Sequence, residues 1–163
     1  MLAVGLAPVG PATRMHRSNS GFTLLEIVLV IVLIGLLAGA GIPAYRGIVD
    51  RVNVNRAIAD IGELSLQLYR WQTNVGAFPP DLATAGLNGR LDPWGRPYFY
   101  LELSAANPGN MRKDKNLVPI NTDFDLYSAG KDGATARPLT AQQSRDDVVR
   151  ASNGAFIGLA KDY

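Results

Sequence analysis

Few side chains in this 163-residue sequence have the types and spacing that catalysis requires. The one histidine, His16, lies near the N-terminus, and the sequence contains no cysteine. It also lacks a Gly-x-Ser-x-Gly nucleophile turn and a phosphate-binding glycine loop. Asp146 and Asp147 are neighbouring carboxylates, but no convergent acid–base set accompanies them. We therefore predict that the chain is not an enzyme and that it forms no disulfide or thiolate metal site.

The most unusual charged residue is Glu26, because it stands alone in an apolar stretch. Residues 22–42 (FTLLEIVLVIVLIGLLAGAGI) contain no other charge. A carboxylate near the edge of a membrane span costs several kcal/mol unless it is paired, which makes it a functional candidate by default. The structural alternative is a helix start, in which Thr23 and Glu26 form a capping box.

The apolar stretch is long enough for a helix of about 30 Å, which is the thickness of a bilayer's hydrocarbon core. It is apolar on all sides, which suits lipid or the centre of a helical assembly. A secretory signal peptide is the main alternative, but its apolar part would be shorter and would end at a small-residue cleavage site. Arg14 and Arg17 precede the stretch. The positive-inside rule thus predicts a cytoplasmic N-terminus and an exported head.

Residues 44–73 predict an amphipathic continuation of the same helix. Apolar side chains recur at three- and four-residue steps along most of it: Ile48, Val52, Val54, Ile58, Ile61, Leu64, Leu68 and Trp71. The opposite face carries two pairs with the i,i+4 spacing of helical ion pairs: Arg46 with Asp50, and Arg56 with Asp60. We expect Pro43 to kink the junction between the two halves of the helix rather than end it.

Residues 74–163 predict a head that is rich in turns and short strands. Residues 92–95 (DPWG) have the composition of a tight turn. Aromatic and apolar runs predict three strands, at residues 98–101, 124–127 and 155–159. The rest of the C-terminal region reads as irregular, and the charged stretch 112–115 reads as a solvated loop. Together these elements predict an α+β fold, with one long helix packed on a small antiparallel sheet.

The junction at residues 18–26 (SNSGFTLLE) resembles the processing site of type IV pilins and type II secretion pseudopilins. That family has a short basic leader, then Gly, Phe-Thr-Leu and a Glu four residues after the Phe, at the start of a hydrophobic span. This sequence matches at Gly21, Phe22 and Glu26, and Pro43 falls at the family's common kink position. The resemblance implies that a prepilin peptidase cuts after Gly21 and methylates the amino group of Phe22. It also implies that Glu26 pairs with the amino terminus of a neighbouring subunit.

The resemblance divides the chain into four parts and implies a type IV pilin fold. Residues 1–21 are a cleaved leader, and Met15 is the expected true start. Residues 22–43 are a transmembrane and assembly helix, and residues 44–73 are its amphipathic second half. Residues 74–163 are a periplasmic head with a C-terminal loop region.

Within this class, the head is most similar to the major, G-type pseudopilin of type II secretion. Its two landmarks lie at residues 92–98 (DPWGRPY) and 124–133 (FDLYSAGKDG), and we expect Trp94 and Tyr127 in the core. The resemblance implies a subunit that polymerises into a periplasmic pseudopilus and drives protein export. Its partners would be further copies of the chain, the prepilin peptidase, minor pseudopilins and an inner-membrane assembly platform.

The same resemblance implies a calcium ion in the loop after the second landmark. The expected ligands are Asp132, Asp146 or Asp147, and the carbonyl group of Ala129. Calcium takes six to eight oxygen ligands, which a flexible loop with carboxylates can supply. Ion pairs of these carboxylates with Arg137 and Arg145 are the alternative way to hold the loop.

Two other filament functions stay open. A surface type IV pilus subunit for adhesion, motility or electron transfer is one, although most type IV major pilins close their C-terminal region with a disulfide. A competence pilin that binds DNA is the other, and it should carry a basic stripe. Beyond Arg14 and Arg17, the chain has 14 basic and 14 acidic residues. Nucleic acid is therefore not an expected partner.

Overall fold

A computed structural model describes residues 21–163, apart from the side chains at positions 40, 41, 43 and 44. The predicted leader before Gly21, the expected start at Met15 and the kink predicted from the Pro43 ring lie outside the described residues. The chain divides into two units, one that ends at Gly41 and one that covers Ile42–Tyr163. The first helix, α1, spans Leu24–Val75 and contributes to both units.

In the N-terminal unit, α1 exposes apolar side chains on all sides. The large apolar residues at positions 24–37 range from 43% exposed (Val28) to 84% exposed (Leu24). The hydroxyl group of Thr23 accepts the backbone N–H of Glu26 at 3.2 Å, which confirms the cap at the helix start. No helix in the described part of the chain meets the length and hydropathy that a membrane span requires.

In the second unit, α1 buries one stripe of side chains against a sheet. Four apolar positions at helical spacing are fully buried: Ala57, Ile61, Leu64 and Leu68. Two residues of the predicted stripe, Ile48 and Val52, are instead 61% and 58% exposed. They stay exposed because the apolar cluster of the head reaches along α1 only as far as Val54.

The helix ends at Val75, slightly later than predicted. Gly76 adopts a φ of 90°, and its N–H donates to the carbonyl oxygen of Gln72 at 2.7 Å. Glycine is favoured at such a helix end because the left-handed conformation costs it no steric strain.

Four antiparallel strands form one sheet in the order β1-β2-β3-β4. They are β1 (Phe99–Glu102), β2 (Phe124–Ser128), β3 (Val148–Ala151) and β4 (Phe156–Leu159). Strands β1, β2 and β4 correspond to the three predicted strands. Strand β3 was not predicted, because all four of its side chains are buried and no polar alternation marks it. The predicted α+β architecture, a long helix packed on a small antiparallel sheet, is confirmed.

The sheet carries an apolar cluster on each side. On the side that we call the helix face, Phe124, Leu126 and Val148 pack against the buried stripe of α1. On the opposite side, the outer face, Val149 and Ala151 of β3 form a smaller cluster with three residues from irregular chain and the C-terminal region: Ile120, Leu139 and Ala160. Successive strand residues point to opposite faces, as Val148 and Val149 do.

The two acidic residues of the predicted i,i+4 ion pairs contact the head instead. Asp60 Oδ1 lies 3.2 Å from Arg90 Nη2, and Asp60 Oδ2 accepts the hydroxyl of Tyr98 at 3.0 Å. Asp50 Oδ2 lies 2.7 Å from Lys131 Nζ. The prediction of ion pairs within the helix was wrong because both carboxylates meet partners from the folded head, which helical spacing alone cannot reveal.

Candidate functional sites

The predicted cleavage point, between Gly21 and Phe22, lies before the first turn of α1. Both residues are exposed and have no regular secondary structure, and Phe22 is 80% exposed. A peptidase therefore has access to the backbone of this bond. Cleavage and methylation themselves stay predictions.

Glu26 lies in the first turn of α1 and is exposed among exposed apolar side chains. A negative charge is favourable there because the helix dipole places partial positive charge at the N-terminus. The carboxylate is also accessible to a cation from another chain. This geometry agrees with the predicted pairing of Glu26, which stays a prediction, as does the part of Pro43 in assembly.

The two landmarks of the head are joined through Asp92. The N–H of Gly95 donates to the carbonyl oxygen of Asp92 at 2.9 Å, and Gly95 has a φ of 85°. Asp92 Oδ1 accepts the N–H groups of Trp94 and Arg96 at 3.0 and 2.8 Å. Asp92 Oδ2 accepts the hydroxyl of Ser128, the last residue of β2, at 2.5 Å. The predicted tight turn is confirmed, and it is tied to the second landmark.

Trp94 and Tyr127 are half-buried and pack against the two apolar clusters. Trp94 contacts the cluster of the helix face, and Tyr127 contacts that of the outer face. The Tyr127 ring stacks on Phe99 at a centroid distance of 5.0 Å, and the guanidinium carbon of Arg112 lies 4.3 Å from its centroid. Both residues belong to the packing of the head, as predicted.

Asp147, one of the expected calcium ligands, is fully buried in an ion pair. Its Oδ2 lies 2.6 Å from Arg112 Nη2 and accepts the hydroxyl of Thr135 at 2.6 Å. Burial raises the pKa of Asp147 to about 6 despite these two bonds, so the carboxylate is ionised at neutral pH. Arg112 is only 2% exposed. The expectation of a solvated loop was therefore wrong for this arginine.

The other expected ligands bond to the backbone of the same loop. Asp146 Oδ2 accepts the N–H of Asp132 at 3.1 Å, and Asp132 Oδ1 accepts the N–H of Ala134 at 2.7 Å. The carbonyl oxygen of Ala129 accepts the N–H of Gly133 at 3.2 Å. The structure thus brings Asp132 and Asp146 together but places Asp147 with a different partner.

The calcium ligand set that the resemblance implies does not fit this arrangement. Calcium needs six to eight oxygens, yet Asp147 is engaged by Arg112, and the carbonyl oxygens of Gly130 and Lys131 accept bonds from Arg96. Within residues 21–163, no three acidic, histidine or cysteine side chains form a group suited to a metal ion. Calcium binding stays a prediction that a titration must decide.

Sequence analysis did not identify a buried arginine on the helix face, Arg150. Its Nη2 lies 2.6 Å from Asp123 Oδ2 and donates to the Tyr69 hydroxyl at 2.7 Å. Its guanidinium carbon lies 4.0 Å from the ring centroid of Phe124. Burial tends to raise the pKa of Asp123, but the bonds from Arg150, Phe124 and Tyr69 outweigh it and lower that pKa. The only signal in the sequence was an arginine directly after two valines.

Comparison with known proteins agrees with the N-terminal motif and with the head. The family described as "Prokaryotic N-terminal methylation motif" matches residues 16–42. The type II secretion system core protein G of Escherichia coli (strain K12) is 33% identical, over 74% of this chain and 87% of that protein. Core protein G of Pseudomonas aeruginosa is 30% identical, over 72% of this chain and 87% of that protein.

A type IV pilin is also similar. The type IV major pilin protein PilE of Neisseria gonorrhoeae is 27% identical, over 84% of this chain and 85% of that protein. No solved structure matches the chain significantly. The fold and the N-terminal motif define a pilin-like protein, and the chain belongs to the family of type II secretion system core protein G.

Proposed function

We propose that this chain is the major subunit of a type II secretion pseudopilus and polymerises in the periplasm to drive protein export. The observation that carries the proposal is the first part of α1, an exposed apolar helix with a single carboxylate at its start. It precedes a self-contained head that belongs to the core protein G family.

The exposed apolar helix supplies the driving force for assembly. The large side chains at positions 24–37 are 43% to 84% exposed in the single chain. Complete burial of one Leu, Ile or Val side chain stabilises by about 1.5–3 kcal/mol. Packing of these helices side by side in a filament, or in lipid before assembly, would remove this surface from water.

Glu26 would set the register between subunits. Cleavage after Gly21 creates a positively charged amino group on Phe22, four residues before the carboxylate. In an apolar filament core an unpaired carboxylate is costly, whereas a pair between Glu26 and the amino group of a neighbour neutralises both charges. This requirement selects one axial offset between adjacent copies.

We assign the chain to the bacterial inner membrane before assembly, with a cytoplasmic N-terminus and a periplasmic head. Support comes from Arg14 and Arg17 ahead of the apolar residues 22–42. Prepilin peptidase, minor pseudopilins and an inner-membrane assembly platform would be its partners. The similarity to a Neisseria gonorrhoeae major pilin supports one alternative, a surface type IV pilus.

Deletion and complementation in the bacterium that encodes this chain test the proposal. We expect the deletion to leave normally secreted proteins in the periplasm and the wild-type gene to restore their export. Glu26→Gln should insert into the membrane but yield no filaments, while Arg56→Gln, which neutralises an exposed charge on α1, serves as the control. Loss of surface motility with normal export would favour the type IV pilus instead.

A separate measurement tests the processing step. Mass spectrometry of the mature protein should find N-methylated phenylalanine at Phe22 as the first residue. A substitution of Gly21 by a bulkier residue should leave the uncut precursor. Any other mature N-terminus in the wild type would contradict the assignment of the cleavage site.

A further inference from the structure

We call residues 129–147 the β2–β3 loop. Two arginine side chains from elsewhere in the head, Arg96 and Arg112, donate hydrogen bonds to this loop. Arg96, from the turn before β1, donates through Nη1 to the carbonyl oxygen of Gly130 at 2.7 Å. It also donates through Nη2 to that of Lys131 at 3.3 Å. Two convergent backbone carbonyl groups thus hold a guanidinium ion. Carbonyl oxygens of this kind are also ligands for hard metal cations.

Gly133 makes room for this guanidinium. A Cβ atom at position 133 would lie 2.5 Å from Arg96 Cζ, and Gly133 has a φ of 72°. Any other residue there would displace Arg96 and would also be strained in the left-handed region. The loop backbone is therefore shaped around the guanidinium of Arg96.

Arg112 holds the other half of the β2–β3 loop. Its Nη1 donates to the Thr135 hydroxyl at 2.6 Å and to the carbonyl oxygen of Ala136 at 2.5 Å. Its Nη2 donates to Asp147 Oδ2 at 2.6 Å, at the end of the loop where β3 begins. With the ring of Tyr127 against its guanidinium, Arg112 links the middle and the end of the loop to strand β2.

These contacts place two guanidinium groups against the loop and leave one buried carboxylate oxygen, Asp147 Oδ1, without a hydrogen-bond partner in the described residues. The buried carboxylate of Asp147 is neutralised by Arg112, and a calcium ion nearby would be repelled by two guanidinium groups. We infer that Arg96 and Arg112 are the cations that order the β2–β3 loop, so that the head of this chain folds, and this loop stays packed on it, without calcium. This inference concerns the folding of the head and holds whichever filament the chain forms.

Trypsin digestion and thermal unfolding of the full-length chain in detergent test the inference. Lys131 and Arg145 are exposed in the loop, so cleavage after them reports on its opening, whereas Pro138 prevents cleavage after Arg137. We expect equal cleavage rates and equal Tm values with excess chelator and with excess calcium. Arg96→Gln should speed cleavage at these sites about tenfold in both conditions, since cleavage tracks the open population and two charge-assisted bonds are lost. Arg56→Gln, exposed on α1, is the matched control and should cleave like the wild type.

Arg112 needs a paired variant, because its loss alone leaves Asp147 buried and unpaired. Arg112→Met is expected to lower the Tm strongly. Arg112→Met combined with Asp147→Leu should recover most of that loss, because removal of both charges avoids the unpaired one. A wild-type Tm that rises with calcium, or chelator-induced cleavage of the loop, would overturn the inference. Wild-type resistance of Arg96→Gln to trypsin would overturn it as well.

Discussion

The two faces of the sheet are built by different means. The helix face packs regular elements on each other, and its buried stripe on α1 repeats at helical spacing. The outer face is covered largely by irregular chain, whose backbone polar groups have no ladder of their own. Such groups need individual partners when they are buried. Accordingly, the outer face relies on Arg112, Asp147 and Thr135, and the helix face has polar clusters around Arg150 and around Asp60.

The largest expected effect comes from the ion pair of the helix face. Arg150→Met should lower the free energy of unfolding by about 3–5 kcal/mol, because it leaves the partly buried carboxylate of Asp123 without its cationic partner. Urea unfolding of the full-length chain in detergent measures the loss. The control is Arg145→Met at an exposed position, which should stay within about 0.5 kcal/mol of the wild type. A similarly small loss for Arg150→Met would mean that the pair contributes little.

A matched pair of leucines compares the two faces directly. Leu64 is 0% exposed on the helix face, and Leu139 is 4% exposed on the outer face. Replacement of a buried leucine by alanine costs about 2–5 kcal/mol, with the larger values where the surroundings cannot collapse. We expect Leu64→Ala near the top of that range and Leu139→Ala near the bottom, because irregular chain relaxes into a cavity more easily than a helix on a sheet. Equal losses in urea unfolding would contradict this difference between the faces.

A smaller effect is expected where the two landmarks join. Ser128→Ala removes the hydroxyl donor to Asp92 Oδ2 and also the acceptor of the Gly130 N–H. The loss should be about 1–3 kcal/mol, the cost of a buried polar group without its partner. Ser104→Ala, at an exposed position, is the control and should leave the urea midpoint unchanged. A neutral Ser128→Ala would show that water replaces the hydroxyl.

The sequence predicted the parts of the molecule that depend on local patterns, which are residue types repeated at a fixed spacing and the composition of a short turn. The stripe Ile61, Leu64 and Leu68, the DPWG turn and strand β2 follow from local rules. Strand β3 and the partners of Asp60 and Asp147 do not, since they depend on contacts between residues far apart in the chain. Arg112 and Arg150 illustrate this limit, because a buried and an exposed arginine look alike in sequence.

A pH dependence is expected to originate on the outer face. Burial raises the pKa of Asp147 from 3.8 to about 6 in the folded chain. Between these values the folded state holds a proton that the unfolded state has lost, so unfolding releases it. Stability should therefore fall as the pH rises from about 4 to about 6, and the Asp147 contribution should be constant above that window.

On the helix face, the pKa of Asp123 is lowered, so its contribution acts in the opposite direction and at lower pH. It is lost only as the pH falls below the ordinary range of an aspartate. Asp147→Asn isolates the outer face: its urea midpoint should lose most of the downward slope between about pH 4 and pH 6. A residual slope is expected from Asp125, whose pKa burial also raises. If wild type and Asp147→Asn show the same slope across this window, the ion pair with Arg112 holds the pKa of Asp147 near its ordinary value. Asp147 would then contribute no pH dependence to the outer face.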